Sequence, residues 1–152
     1  VVCGPLNSGK STFLRYLINT MLQTHDRIVL LDTDMGQPEI TPPGFVSLNI
    51  VQSPLLGPPY ANCARVPYRS AFLAKPSPVD VIMEFRTAVT TLMDVYRTKF
   101  GVASRGGSKE SAKTIPLVVN TGGWVKGLGL DLLKFTIATV EPSHVIRLRK
   151  ND

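Results

Sequence analysis

Cysteine is nearly absent from the 152 residues. Cys3 and Cys63 stand 60 positions apart, a spacing of neither metal-ligand nor redox type, which leaves nothing to staple or chelate and fits a reducing compartment best. No run approaches the roughly 18 to 20 continuous apolar residues that a membrane span needs, so no membrane partner is expected. Tryptophan occurs once, at Trp124, and histidine twice, at His25 and His144. Neither histidine has a ligand partner in sequence, so structural roles are expected for both, His25 near a helix end where a cation favours the dipole. Acidic residues are outnumbered 11 to 17, giving a net charge of +6, and the imbalance is uneven: residues 1–59 carry 3 basic and 4 acidic groups, residues 60–152 carry 14 and 7. That asymmetry suits a polyanionic partner and equally an ordinary solvated surface. Charge is missing altogether between Glu39 and Arg65, where Pro42, Pro43, Pro54, Pro58 and Pro59 punctuate the chain. The stretch reads as irregular structure packed on the domain.

What is present is material for one core. Hydrophobic residues make up 43% of the chain, and a domain of this length buries roughly 68–70% of the surface its unfolded chain exposes, so a single domain over 1–152 is expected. The first residue is Val rather than Met and a strand begins at once, so the expectation is a domain excised from a longer chain. Val1 to Cys3 reads as a short buried strand, and Phe13, Leu14, Leu17, Ile18 and Met21 then lie on one helical face. Ile28 to Leu31 is a β-branched-rich apolar run ending in a carboxylate, the pattern of a central strand covered on both faces. Phe45 to Val51 is a further strand. Ser77 and Pro78 supply an N-cap and a first-turn proline for the longest helix, which Ile82, Phe85, Val89, Leu92, Met93 and Tyr96 continue. Gly101 to Lys113 reads as a loop, Ile115 to Asn120 as a strand, Leu128 to Ala138 as a helix and His144 to Leu148 as a last strand. Strands alternating with helices give an α/β fold, a mainly parallel sheet with helices on both faces.

The strongest chemical signal is Gly4, Pro5, Leu6, Asn7, Ser8, Gly9, Lys10 and Ser11, which satisfies G-x-x-x-x-G-K-[ST] after a strand and before a helix. The glycines let backbone N–H groups turn inward on phosphate oxygens, and the helix start adds partial positive charge. In that P-loop NTPase fold Lys10 reaches the β- and γ-phosphates of a nucleotide such as ATP, Ser11 holds Mg²⁺, and Thr12 is the neighbouring hydroxyl. Asp32 and Asp34 stand at the end of the Ile28 to Leu31 strand, on one side of an extended chain. One could accept a bond from metal-bound water and the other take a proton from an attacking hydroxyl; either could instead cap the following turn.

With the P-loop, two further segments carry a resemblance: Leu31-Asp32-Thr33-Asp34-Met35-Gly36-Gln37-Pro38-Glu39 running into Thr41-Pro42-Pro43-Gly44, and Asn120-Thr121-Gly122-Gly123-Trp124-Val125-Lys126-Gly127. Together they resemble the polynucleotide 5′-hydroxyl kinase family, in its nucleolar branch that processes precursor ribosomal RNA. The resemblance implies transfer of the γ-phosphoryl of ATP to an RNA with a 5′-hydroxyl end, with Mg²⁺, beside a HEPN-type endoribonuclease partner, in the nucleus and nucleolus. It implies Lys10 and Asp34 as catalytic, Asp34 being the base, Ser11 and Asp32 on the metal side, and Gln37, Thr121 and Trp124 on the substrate. Trp124 follows two glycines at a strand's carboxyl end, so it is expected in a cleft, where it would stack on a base or merely pack the lip.

The chain also departs from that family. Where some relatives carry a Thr-x-Asn clasp before the long helix, Ser77-Pro78-Val79 stands here, and the flanking domains and arginine-bearing lid of the family are expected to be missing from a chain ending at Asp152. Arg147, Arg149 and Lys150 read as a solvated strand end, and Arg65 and Arg69 as RNA-backbone contacts or surface arginines. Two other function classes stay open. One is a P-loop ATPase driving assembly, although the extra lysine of that class is missing where Pro5 and Leu6 stand; the other is a non-catalytic nucleotide-binding scaffold. No Asn-Lys-x-Asp base-reading motif of a GTPase occurs.

Overall fold

The computed structural model of the chain describes residues 1–62, 65–101 and 114–150. Cys63 and most of the loop expected over Gly101–Lys113 lie outside them. The central strand forms where the sequence is most continuously apolar. All five residues of β2 (Ile28–Asp32) are buried, and successive side chains leave on opposite faces. Ile28 and Leu30 pack with Leu14 and Ile18 of α1 (Lys10–Met21), whereas Val29 and Leu31 pack with Phe85, Val89, Leu92 and Met93 of α2 (Ile82–Lys99) and with Leu132 of α3 (Leu128–Val140). Each such fully buried aliphatic side chain stabilises the fold by about 1.5–3 kcal/mol. The helices therefore cover both faces, α1 on one and α2 with α3 on the other.

Around β2 lie β1 (Val2–Cys3), β3 (Phe45–Val51), β4 (Arg69–Phe72), β5 (Leu117–Asn120) and β6 (Ile146–Arg147), in the spatial order β4-β3-β2-β5-β1-β6. The pairs β2/β5, β5/β1 and β1/β6 are parallel, as expected from the alternation of strands and helices. The other edge is antiparallel: β3 pairs with β2 from Ile28 against Val51 to Asp32 against Ser47, and β4 pairs with β3 from Phe45 against Phe72 to Leu48 against Arg69. The uncharged stretch after Glu39 therefore contains a sheet strand, β3, with Pro42 and Pro43 before it and Pro54, Pro58 and Pro59 in the crossing after it, which includes a 3₁₀ turn at Pro59–Asn62.

Two expectations need correction. Ser77 and Pro78 do not start the long helix; Ser77 accepts from the Val79 N–H at 3.4 Å to cap a separate 3₁₀ turn, Pro78–Asp80, and Val81 (φ −138°) breaks the chain before α2 begins. The last strand is Ile146–Arg147, shorter than the expected span from His144. Cys3 is buried in β1, as a small core residue should be. Among the described residues no helix is long and apolar enough to cross a membrane.

Candidate active site

The parallel strands β1, β2 and β5 end together, and each runs into one of the three sequence motifs. After β1 the chain curls through Gly4 (φ +149°), Asn7 (φ +59°) and Gly9 (φ +83°), backbone conformations that open the loop for inward-facing N–H groups. Gly4 is enforced sterically as well, because a Cβ there would come within 2.5 Å of the Leu148 carbonyl oxygen. Gly9 caps α1 without a side-chain bond, and the first turn of α1 carries no acidic residue of its own to offset the partial positive charge of that helix start. Lys10 is buried and donates from Nζ to the Pro5 carbonyl at 2.9 Å, lying back along the loop. Burial pushes its ammonium below the ordinary lysine value, and the Asp34 carboxylate pulls the other way. Ser8 Oγ donates to the same Pro5 oxygen at 2.8 Å. Ser11 is half-buried at the helix start, whereas Leu6, Asn7 and Thr12 face solvent.

The two aspartates after β2 behave differently. Asp32 is sealed inside, 1% exposed. Its Oδ1 accepts from the Asp34 N–H at 3.1 Å and from Asn120 Nδ2 at 2.9 Å, and its Oδ2 from the Glu39 N–H at 2.7 Å. Burial raises its carboxyl from 3.8 to about 7 against the pull of those three donors. Both oxygens accept bonds within the protein, so Asp32 holds the 34–39 loop against β5. Asp34 is half-buried. Its Oδ1 accepts from the N–H groups of Gly36 at 3.2 Å and Gln37 at 3.1 Å, closing a turn, while its Oδ2 makes no hydrogen bond among the described residues.

The loop is clamped to the P-loop helix by a buried ion pair that sequence reasoning missed. Arg15 Nε donates to Glu39 Oε2 at 2.8 Å and a terminal guanidinium nitrogen to Oε1 at 3.3 Å, with Glu39 fully buried. The one available signal is that Glu39 is the last charge before the uncharged stretch.

After β5, Thr121 is buried and donates its hydroxyl to the Val2 carbonyl at 2.9 Å. That bond ties the end of β5 to β1, and the residue lines the cleft it shares with Asp34 and Trp124. The turn that follows rests directly on the P-loop, since a Cβ at Gly123 would lie 2.8 Å from Leu6 Cα and 2.9 Å from its nitrogen. Trp124 is 42% exposed, presented in a cleft as expected. Its indole lies on Gly129 in the first turn of α3, where a Cβ would fall within 2.5 Å of Trp124 Cδ2. Gly129 is a second missed residue; a glycine inside a helical pattern marks such a close approach.

Between these elements lies a cleft of about 280 Å³ whose wall includes Asp34, Ser77, Val79, Thr121, Trp124 and Gly129. The structure therefore brings Asp34 and Trp124 to one cavity, and puts Ser77-Pro78-Val79, the position of the family clasp, on its rim. Gln37 is exposed and belongs with Ser11 to a neighbouring groove. Arg65 donates to the carbonyls of Ser53 at 3.2 Å and Pro54 at 2.8 Å, latching the proline-rich crossing. Arg69 sits on the edge strand β4, away from the cleft. Among the described residues no cluster of three or more His, Cys, Asp or Glu could hold a metal, so any cation here would rest on few protein oxygens. That is the habit of Mg²⁺, which takes one or two of them alongside substrate phosphates and water, and the Ser11 hydroxyl at the start of α1 is one such oxygen.

Residues 4–152 match a known sequence family, the mRNA cleavage and polyadenylation factor CLP1 P-loop. The chain is similar to polynucleotide 5′-hydroxyl-kinase NOL9 of Arabidopsis thaliana, 43% identical over 149 residues that are 97% of this chain and 39% of that protein. It is also similar to the nol9 protein of the same description from Dictyostelium discoideum, 37% identical over 152 residues, 100% of this chain and 21% of that one. The human NOL9 kinase is 38% identical over 151 residues, 99% of this chain and 19% of its own length. The chain thus spans between about a fifth and two fifths of these relatives.

Proposed function

The chain belongs to the CLP1 P-loop family, and we propose that it is the core of a polynucleotide 5′-hydroxyl kinase moving the γ-phosphoryl of ATP onto the 5′-hydroxyl end of RNA. One observation carries the reading: the phosphate loop, a carboxylate with an uncommitted oxygen and a half-exposed indole converge at the carboxyl ends of three adjacent parallel strands, where open α/β sheets bind ligands.

In this reading Lys10 leaves the Pro5 carbonyl for the β- and γ-phosphates, and the start of α1 receives them. Asp34 Oδ2 takes the proton of the 5′-hydroxyl as its oxygen attacks the γ-phosphorus, the bond to the β-phosphate bridging oxygen breaks, and ADP leaves. Its Oδ1, held by two backbone N–H groups, keeps the carboxylate in place during that transfer. Ser11 would hold Mg²⁺, with Asp32 reaching it only through metal-bound water, and the ion would supply positive charge to the transferring oxygens. Asp32 acts through the loop it holds. Trp124 stacks on a base of the acceptor, a contact worth about 1–3 kcal/mol, and Gln37 lies where the strand would continue. The HEPN-type endoribonuclease partner, the role in ribosomal RNA processing and a nucleolar site of action rest on the family resemblance.

Incubating the protein with γ-labelled ATP, Mg²⁺ and a 5′-hydroxyl oligoribonucleotide tests the proposal. Label at the 5′ end is the expected result; release of inorganic phosphate with no labelled ends would make the protein an ATPase.

A further inference from the structure

Beside the Asp34–Trp124 cleft, and sharing Gly36 with it, runs a second groove of about 490 Å³. Its wall contains Ser11 and Gln37 at the active-site end and Pro42, Pro43 and Tyr60 at the far end. Tyr60 projects from the 3₁₀ turn Pro59–Asn62 and is 80% exposed, the most solvent-open aromatic ring among the described residues. A ring so placed adds nothing to the core; with a rigid proline wall opposite, it offers a flat apolar face at little cost in side-chain freedom. The groove also holds an unmet polar group. Thr41 is 5% exposed, and its buried Oγ1 has no hydrogen-bond partner among the described residues. Leaving a buried hydroxyl unpaired is unfavourable, and a ligand in this groove with a sugar hydroxyl or phosphate oxygen would satisfy it.

We infer that this groove is a second acceptor subsite, in which Tyr60 stacks on the nucleotide following the 5′-terminal one and Thr41 bonds to that nucleotide's sugar or phosphate. The inference rests on the kinase reading above. Its order follows from the shared Gly36: the terminal hydroxyl must lie at Asp34, so the strand that leaves the Trp124 cleft past Gly36 and Gln37 enters the groove with its next base. The enzyme then discriminates by acceptor length, a single nucleotide filling only the first subsite.

The test uses the full-length protein with Tyr60→Ala, Tyr60→Phe and Thr41→Val. Binding is read by fluorescence anisotropy of a 3′-labelled 5′-hydroxyl oligoribonucleotide. Transfer is read as KM for that oligonucleotide and for a nucleoside 3′-monophosphate. Tyr60→Ala is expected to weaken oligonucleotide binding and raise its KM by roughly 5- to 100-fold, leaving the mononucleotide KM within twofold, while Tyr60→Phe behaves as wild type. Thr41→Val is expected to raise the melting temperature, since it removes an unpaired buried hydroxyl, and yet to lower oligonucleotide affinity. Equal losses on both acceptors, an oligonucleotide affinity in Tyr60→Ala within twofold of wild type, or no binding of the oligonucleotide by wild type would each overturn the subsite. If wild type binds the oligonucleotide without transferring phosphate, the kinase reading fails on its own, and the anisotropy comparison still decides the groove.

Discussion

Replacing Gly129 by alanine should disable the stacking platform without touching the nucleotide. The added Cβ would fall within 2.5 Å of Trp124 Cδ2 and closer still to its Cγ and carbonyl oxygen. Because one of those atoms is backbone, rotating the indole alone cannot relieve the overlap; the 122–127 turn or the first turn of α3 must shift. Overpacking of this kind costs about 1–3 kcal/mol of stability, and loss of the stack removes about 1–3 kcal/mol from RNA binding, a drop of roughly 5- to 150-fold in affinity. Trp124 is the only tryptophan of the chain, so intrinsic emission reports this residue alone. The variant should show a displaced emission maximum, the same affinity loss as Trp124→Ala, and no further loss when the two changes are combined, the coupling expected of residues in contact. The thermal shift caused by Mg·ATP should be unchanged. An unaltered emission spectrum with unaltered RNA affinity would refute the argument that Gly129 sets the indole's position.

Saturating Mg·ATP, at about 100 times its dissociation constant, should stabilise the protein by about 2.7 kcal/mol, and Lys10→Ala should remove most of that gain in a melting experiment. Asp34→Asn should abolish phosphate transfer while leaving ATP binding intact; kinase activity within a few-fold of wild type would place the base elsewhere. Arg15→Ala, which strands the fully buried Glu39, should cost about 3–5 kcal/mol in urea unfolding, and a loss below 1 kcal/mol would show that water reaches the carboxylate. The Asp32 carboxyl titrates near 3.8 unfolded and about 7 folded, so between those values the folded state holds more protons and stability falls as pH rises. In metal-free buffer the decline from pH 4 to 7 should be on the order of a few kcal/mol and should flatten in Asp32→Asn; an equal slope in the variant would assign it to another group.

Local pattern made some of this architecture legible and hid the rest. β2 and β3 were readable to within a residue because their apolar runs are bounded and continuous. β4 was not, since Arg69-Ser70-Ala71-Phe72 is exposed at the sheet edge and shows no alternation, its pairing decided by β3. Ser77-Pro78 carries real capping chemistry, but a 3₁₀ turn and a helix begin with the same signals, and only the backbone at Val81 separates them. In the site, the motif residues with uncommon chemistry stood out: Lys10, Asp34 and Trp124. The role of Asp32 did not, because it is set by Asn120, 88 positions away, and the same distance problem concealed the hydroxyl of Thr121 turning toward Val2 and the pairing of Arg15 with Glu39.

The close seating of Gly123 on Leu6 bears on turnover. The P-loop and the turn after β5 meet backbone to backbone at this point, so under the proposed function donor and acceptor are carried on one joined surface. On the kinase reading, the spacing of donor and acceptor during turnover is then set by a backbone contact rather than by side chains.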